Sequence, residues 1–117
     1  MYDLNLTEKL VLLATIVETE GGRRLSHTGK VYRRYVELSK LANIEPVTSR
    51  RIYDILRNLA NEGILWTRVS NLGRYGRTTV VKLLAPPNTL CSVLVEDLAV
   101  GALAEEVCRD VNPPSPH

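Results

Sequence analysis

The sequence predicts a mainly α-helical domain with a small β-ribbon: a helix-turn-helix with a β-hairpin wing, or winged helix, followed by a C-terminal helix. Apolar residues recur at the three- and four-residue spacing of amphipathic helices in four segments. After the third segment the apolar period changes to two in two successive runs, which is typical of a hairpin. The 117 residues, 44% of them hydrophobic, suffice for one core but not for two. We therefore expect a winged-helix domain over residues 1–110 and a disordered tail over residues 111–117.

The first helix is expected over residues 5–20, where Asn5 or Thr7 could cap its start. The glycine pair at positions 21 and 22 is a typical helix stop. The run RRLSH at residues 23–27 is too short for a helix and predicts a small strand.

Thr28 is expected to cap the second helix, which should run over residues 29–42. Asn43 is suited to the left-handed conformation that ends a helix, and Pro46 favours an extended backbone just before it. The turn into the next helix is therefore short, which indicates a helix-turn-helix. The apolar side of this second helix carries four regularly spaced residues: Val31, Tyr35, Leu38 and Ala42.

The third helix is expected to begin after an N-cap at Thr48, to continue to Glu62 and to end at Gly63. Advancing 100° per residue places a polar set opposite its apolar stripe: Arg50, Asp54, Arg57 and Asn61, with Tyr53 and Asn58 on the flanks. Such a mixture of donors, acceptors and an aromatic hydroxyl is suited to reading a major groove, although an ordinary solvated surface is the alternative.

Strands are predicted over residues 64–70 and 78–84, joined by the loop NLGRYGR. Its two glycines permit the reversal of a hairpin. Arg74, Tyr75 and Arg77 would then lie at the tip of the hairpin, where arginine is suited to a narrow minor groove. The alternative is a solvated loop whose charge serves solubility.

A fourth helix is expected from a cap at Asn88 or Thr89 to Cys108, either covering the first helix or offering a surface to a partner. Cys91 also lies in this segment. With no CxxC pair and no histidine nearby, both cysteines are expected to be buried thiols in a reducing compartment. No signal peptide or membrane span is predicted.

Charge is distributed unevenly along the chain. Residues 23–82 carry thirteen Lys and Arg against four Asp and Glu, or +9, whereas residues 1–22 carry −3 and residues 83–117 carry −4. The sum is the net charge of +2. A basic middle between acidic ends is the distribution expected of a phosphate-binding surface. The two histidines, His27 and His117, offer neither a zinc site nor a catalytic relay, so we expect neither an enzyme nor a metal.

Three strings extend this interpretation: SHTGKVY at residues 26–32, VTSRRI at 47–52 and GRYGRT at 73–78. Their order resembles the C-terminal domain of archaeal origin-recognition initiators, which are relatives of the eukaryotic origin recognition complex and the replication licensing factor. The resemblance implies binding of double-stranded origin DNA, with a helix in the major groove and a wing in the minor groove.

The resemblance also assigns residues to contacts. In the recognition helix they are Ser49, Arg50, Arg51, Tyr53 and Arg57. In the wing they are Arg74, Tyr75 and Arg77, and contacts to the DNA backbone are expected from Thr28, Arg33, Arg34, Arg68 and Lys82.

Members of this family carry an AAA+ ATPase module before the winged helix, so the chain is expected to be a fragment of such a protein. It lacks the GxxxxGK[ST] phosphate loop, and no cofactor is expected here because ATP and magnesium would belong to that module. The implied partners are origin DNA, the AAA+ module and the replication helicase, at a cytoplasmic, nucleoid-associated location. Two alternatives stay open: a winged-helix transcription regulator, which usually reads DNA as a dimer, and a winged helix used for protein interaction.

Overall fold

The structure of the protein is a computed structural model, and it describes residues 4–71 and 77–111. The three helices predicted before the hairpin, and the hairpin itself, follow one another in the predicted order. The elements are α1 (Leu6–Glu18), β1 (Ser26–His27), α2 (Thr28–Leu41), α3 (Ser49–Asn61), β2 (Leu65–Asn71), β3 (Arg77–Leu83), α4 (Pro87–Leu94) and α5 (Gly101–Val111). None of the described helices has the length and hydropathy needed to cross a bilayer.

Helix α1 is the centre of the core. Every residue from Leu10 to Ile16 is buried, and α2, α3, α5 and β3 all pack against the helix. Of the two caps that the sequence offered, Asn5 and Thr7, the structure has Asn5. Its side chain accepts from the backbone N–H of Glu8 at 2.9 Å, and the Glu8 carboxylate accepts from the Asn5 N–H at 2.8 Å. This reciprocal pair satisfies two of the N–H groups that a helix leaves open at its start.

The turn between α2 and α3 confirms the helix-turn-helix. Asn43 has a φ of 58°, the left-handed conformation expected of it. The Thr48 hydroxyl caps α3 by accepting from the backbone N–H of Arg51 at 3.3 Å. Gly63 follows the helix with a φ of 80°, a conformation that glycine adopts without steric penalty. These local signals set both ends of α3.

The wing hairpin is confirmed, and it belongs to a three-stranded antiparallel sheet of order β1-β3-β2. Leu65 lies opposite Leu83, and Thr67 lies opposite Val81. Because side chains alternate between the faces of a strand, this register turns Leu65, Val81 and Leu83 into the core. β1 pairs with β3 through Ser26 opposite Val81, which confirms the short strand predicted before α2.

The prediction of a Thr28 cap is wrong. Thr28 is the first residue of α2, and His27 occupies the N-cap position without a side-chain hydrogen bond to the helix. The Thr28 hydroxyl is engaged elsewhere, because it donates to the hydroxyl of Tyr53 on α3.

The prediction of one C-terminal helix is also wrong, both in its cap at Asn88 or Thr89 and in its continuity. α4 begins at Pro87, which suits the first helical turn because it has no N–H to leave unpaired. The chain then breaks before α5, where Asp97 Oδ1 accepts from the backbone N–H groups of Ala99 at 2.8 Å and Val100 at 3.0 Å. Both segments are amphipathic helices, so apolar spacing alone could not reveal the break.

A long-range ion pair holds this break against α1, since the Lys9 ammonium bonds the Asp97 carboxylate. The hydrogen bond from Lys9 lowers the pKa of Asp97 below its ordinary value, although desolvation opposes the shift. Gly101 fits close to the linker, because a Cβ built on it would lie 2.6 Å from the carbonyl oxygen of Val95. The break is therefore stabilised by the surrounding structure.

The cysteines are buried as predicted but are not free thiols. Cys91 on α4 and Cys108 on α5 form a disulfide that closes a separation of 17 residues. The break between the two helices folds them back on each other and brings the two positions together, with a Cα–Cα distance of 6.0 Å. In the single continuous helix that the sequence predicted for this segment, two residues 17 positions apart could not have met.

Candidate nucleic-acid interface

Helix α3 separates into a buried face and a polar face. The buried face consists of Ile52, Ile55, Leu56 and Leu59. The residues predicted for the recognition helix are all exposed: Ser49, Arg50, Arg51, Tyr53 and Arg57. The structure therefore brings these five residues together on the outer surface of one helix, as the 100° rotation per residue requires.

The arginines of α3 are not neutralised within the part of the chain that the structure describes. The ion pairs there join Lys9 to Asp97, Arg24 to Glu20, and Arg34 to Glu18 and Glu37. None of them involves Arg50, Arg51 or Arg57, although Asp54 lies on the same helix. A helix whose exposed arginines have no carboxylate partner presents a positive surface suited to phosphates and base edges.

The start of α3 is held by a buried tyrosine of α2. The Tyr35 ring is completely buried, and its hydroxyl accepts from the backbone N–H of Val47 at 2.9 Å. Val47 immediately precedes the Thr48 cap. This contact therefore fastens the turn to α2 at the point where α3 begins, and so helps to set the angle at which the polar face is presented.

A second contact between the two helices joins Thr28 to Tyr53. The Thr28 hydroxyl donates to the Tyr53 hydroxyl at 2.9 Å. Thr28 is only 4% exposed, whereas Tyr53 is 44% exposed. These two residues border a cleft of about 160 Å³, together with Gly29, Tyr32, Ser49 and Ile52. The sequence signalled the polar character of both residues but not their contact, since 25 positions separate them.

Of the five residues expected to contact the DNA backbone, three are exposed and the other two bond to partners within the protein. Arg33, Arg68 and Lys82 are exposed. Arg34 is held by two carboxylates, with its Nε 2.9 Å from Glu18 and a terminal nitrogen 3.0 Å from Glu37.

Arg68 and Lys82 share the outer face of the sheet. Lys82 lies opposite Trp66, and Arg68 lies opposite Val80, which gives them the same side of the hairpin. Thr28 is buried, and its hydroxyl forms a hydrogen bond with the Tyr53 hydroxyl. Of the five residues, the structure thus leaves Arg33, Arg68 and Lys82 open to solvent and without an ion pair among the described residues.

The described residues include β2 and β3, the two strands of the wing, but not the loop that joins them. Arg77 begins β3 opposite Asn71, which places its backbone at the distal end of the hairpin. Arg74 and Tyr75 lie outside the described residues, as does the side chain of Arg77. The predicted positions of these three side chains therefore stay predictions.

Comparison with known proteins agrees with this architecture. Residues 1–93 match the family model of the CDC6 C-terminal winged helix domain. The ORC1-type DNA replication protein 1 of Sulfurisphaera tokodaii is 42% identical over 88 residues, which are 75% of this chain and 22% of that protein. The ORC1-type DNA replication protein of Pyrococcus abyssi is 37% identical over 100 residues, which are 86% of this chain and 24% of that protein.

Among solved structures, the Aeropyrum pernix ORC1 protein in complex with DNA is similar with a TM-score of 0.80 and 41% identity. The similarity covers 86% of this chain and 26% of that one. The chain thus spans about a quarter of the length of the curated relatives it matches.

Proposed function

Because this chain belongs to the family of CDC6 C-terminal winged helix domains, we propose that it binds double-stranded DNA as the winged-helix domain of a replication initiator that recognises origins. α3 enters the major groove, and the wing contacts the neighbouring minor groove. The domain contributes binding and performs no chemistry of its own.

The observation that carries the proposal is the exposed face of α3, where Arg50, Arg51 and Arg57 have no carboxylate partner among the described residues. The major groove of B-DNA is about 12 Å wide and admits an α-helix. Arginine makes the commonest specific contact there, a bidentate bond to guanine, and it also binds phosphates. Ser49 and Tyr53 add hydroxyl groups to the same surface.

The similar Aeropyrum protein supports this assignment. Its structure was determined in complex with DNA, and at 41% identity and a TM-score of 0.80 the similarity extends beyond the fold to much of the sequence. We extend the proposal to the longer protein of which this chain would be the C-terminal part. Its AAA+ module would bind ATP and magnesium, and its partners would be the origin and the replication helicase.

Further contacts belong to the same proposal. Arg74, Tyr75 and Arg77 at the wing tip contact the minor groove, whose negative potential attracts arginine where the groove is narrow. Arg33, Arg68 and Lys82 contact phosphates, which add affinity without sequence preference. Arg34 would contact a phosphate by exchanging its ion pairs with Glu18 and Glu37, so we expect a smaller contribution from it.

A titration of duplex DNA at several salt concentrations tests the proposal. The logarithm of the binding constant should fall with the logarithm of the salt concentration, by about 0.9 per neutralised phosphate. Replacing Arg57 by Ala should weaken binding to a preferred site by about 1 to 3 kcal/mol, which is roughly fivefold to 150-fold.

Arg109→Ala is the matched control, because it removes the same charge from an exposed position of α5, a helix that packs on α1 and α4. The proposal fails if the affinity does not depend on salt, or if the two variants bind DNA equally well.

A further inference from the structure

The hydroxyl pair Thr28–Tyr53 has a defined direction. A hydroxyl group donates one hydrogen and accepts through two lone pairs. Thr28 is almost completely buried, and its hydroxyl has no other hydrogen-bond partner among the described residues. If Tyr53 donated, the Thr28 hydrogen would be left buried without an acceptor, which is unfavourable. This accounting assigns Thr28 as the donor and Tyr53 as the acceptor across the 2.9 Å between the two oxygens.

This direction determines what Tyr53 offers at the surface. One lone pair of its oxygen is occupied by Thr28, and its own hydrogen is free to point outward from a side chain that is 44% exposed. A hydroxyl that accepts a hydrogen bond is polarised and becomes a stronger donor, because hydrogen bonds in a chain reinforce one another. Tyr53 thus presents mainly a donor on the polar face of α3.

We propose that Thr28 is a positioning residue that holds the Tyr53 hydroxyl as a hydrogen-bond donor, so that this part of the interface selects an acceptor on the DNA. The acceptors in reach of such a group are a phosphate oxygen or, in the major groove, a purine N7, guanine O6 or thymine O4. The amino groups of cytosine and adenine are donors and are disfavoured. The inference rests on the proposed function and adds the chemical identity of the group that Tyr53 contacts.

The surroundings of the pair are compatible with this role. The cleft of about 160 Å³ beside the two hydroxyls also borders Ser49, at the start of α3, and Gly29, at the start of α2. No carboxylate borders this cleft, so no charged acceptor among its lining residues competes with DNA for the Tyr53 hydrogen. An acceptor of the DNA can approach there from the solvent side.

A double-mutant cycle tests the inference. Thr28→Val removes the hydroxyl while keeping the branched shape, Tyr53→Phe removes its partner, and the cycle is completed by the double variant. We expect each single variant to weaken binding about threefold to tenfold, which is the range for one neutral hydrogen bond. The double variant should lose no more than Tyr53→Phe alone, and Thr28→Ser should restore wild-type affinity. Circular dichroism verifies that each variant is folded.

The probe is a pool of duplexes with randomised central positions, from which bound molecules are sequenced. If Tyr53 donates to a base, Tyr53→Phe abolishes a preference for acceptor-bearing bases at one position. If it donates to a phosphate, affinity falls equally across the pool. Both results support the inference.

Two results would overturn it. One is a Thr28→Val variant that binds like the wild type, and the other is a Thr28→Val loss that persists unchanged when Tyr53 is already Phe. The salt titration of the wild type tests the proposed function independently of the coupling between Thr28 and Tyr53. Salt-dependent binding without coupling between the two residues rejects this inference alone, whereas no binding by the wild type rejects the proposed function and this inference with it.

Discussion

Removing one oxygen atom from Tyr35 should weaken the junction between α2 and α3. Its hydroxyl accepts from the backbone N–H of Val47 at 2.9 Å, and its ring is completely buried. In Tyr35→Phe the ring still fills its site, so the change isolates the hydrogen bond. A bond of this kind contributes about 1 kcal/mol net, and the loss approaches about 3 kcal/mol if no water replaces the lost acceptor. Because Val47 is half-buried, we expect a loss of about 1 to 2 kcal/mol.

Thermal and urea unfolding measure this loss. For a domain of this size, 1 kcal/mol corresponds to a shift in Tm of roughly 4 to 8 °C. Tyr32→Phe is the matched control, because Tyr32 is half-buried, its ring centroid lies 6.2 Å from that of Tyr35, and its hydroxyl makes no hydrogen bond in the described structure. The control should stay within about 0.5 kcal/mol of the wild type. Equal unfolding midpoints for the two variants would refute the idea that Tyr35 fastens the turn through its hydroxyl.

Three further predictions concern the C-terminal helices. Reduction of the Cys91–Cys108 disulfide should lower stability by about 3 kcal/mol, the loop-closure value for a separation near 17 residues; a variant with serine at both positions should show no response to reductant. Gly101→Ala should destabilise the fold even though alanine favours helix by about 1 kcal/mol, because the new Cβ would lie 2.6 Å from the carbonyl oxygen of Val95; a higher Tm would contradict this. The lowered pKa of Asp97 means that its ion pair stabilises the fold above pH 3.8 and that this contribution is lost as the pH falls through the lowered value. In urea unfolding, the difference between wild type and Asp97→Asn should be constant near neutral pH and shrink below about pH 4, whereas a difference that stays unchanged in acid would argue against the ion pair.

The features that sequence predicted correctly depend on residues within a few positions of one another. The Asn5 and Thr48 caps each need one side chain and a backbone N–H three positions later. Asn43 and Gly63 adopt positive φ because of their own conformational preferences. The placement of the α3 arginines on one exposed face follows from helical geometry alone, so the main part of the candidate interface was predictable.

Only the tertiary structure decided the features that join distant parts of the chain. Lys9 meets Asp97 across 88 positions and helps to hold the break between α4 and α5, and that break in turn allows Cys91 and Cys108 to pair. No local pattern encodes these contacts, because both sides of the break have helical periodicity.

The same distinction applies to the interface. From its sequence, the domain has a basic helix and a hairpin with arginines and a tyrosine in its loop. In the folded chain, Arg34 forms ion pairs with the carboxylates of Glu18 and Glu37. Thr28 forms a hydrogen bond with Tyr53, which lies 25 positions away in the sequence. Local residue chemistry thus determined which elements form and which groups they expose. Long-range packing decided which of those groups form ion pairs or hydrogen bonds within the protein, because only the folded chain brings their partners within hydrogen-bond distance.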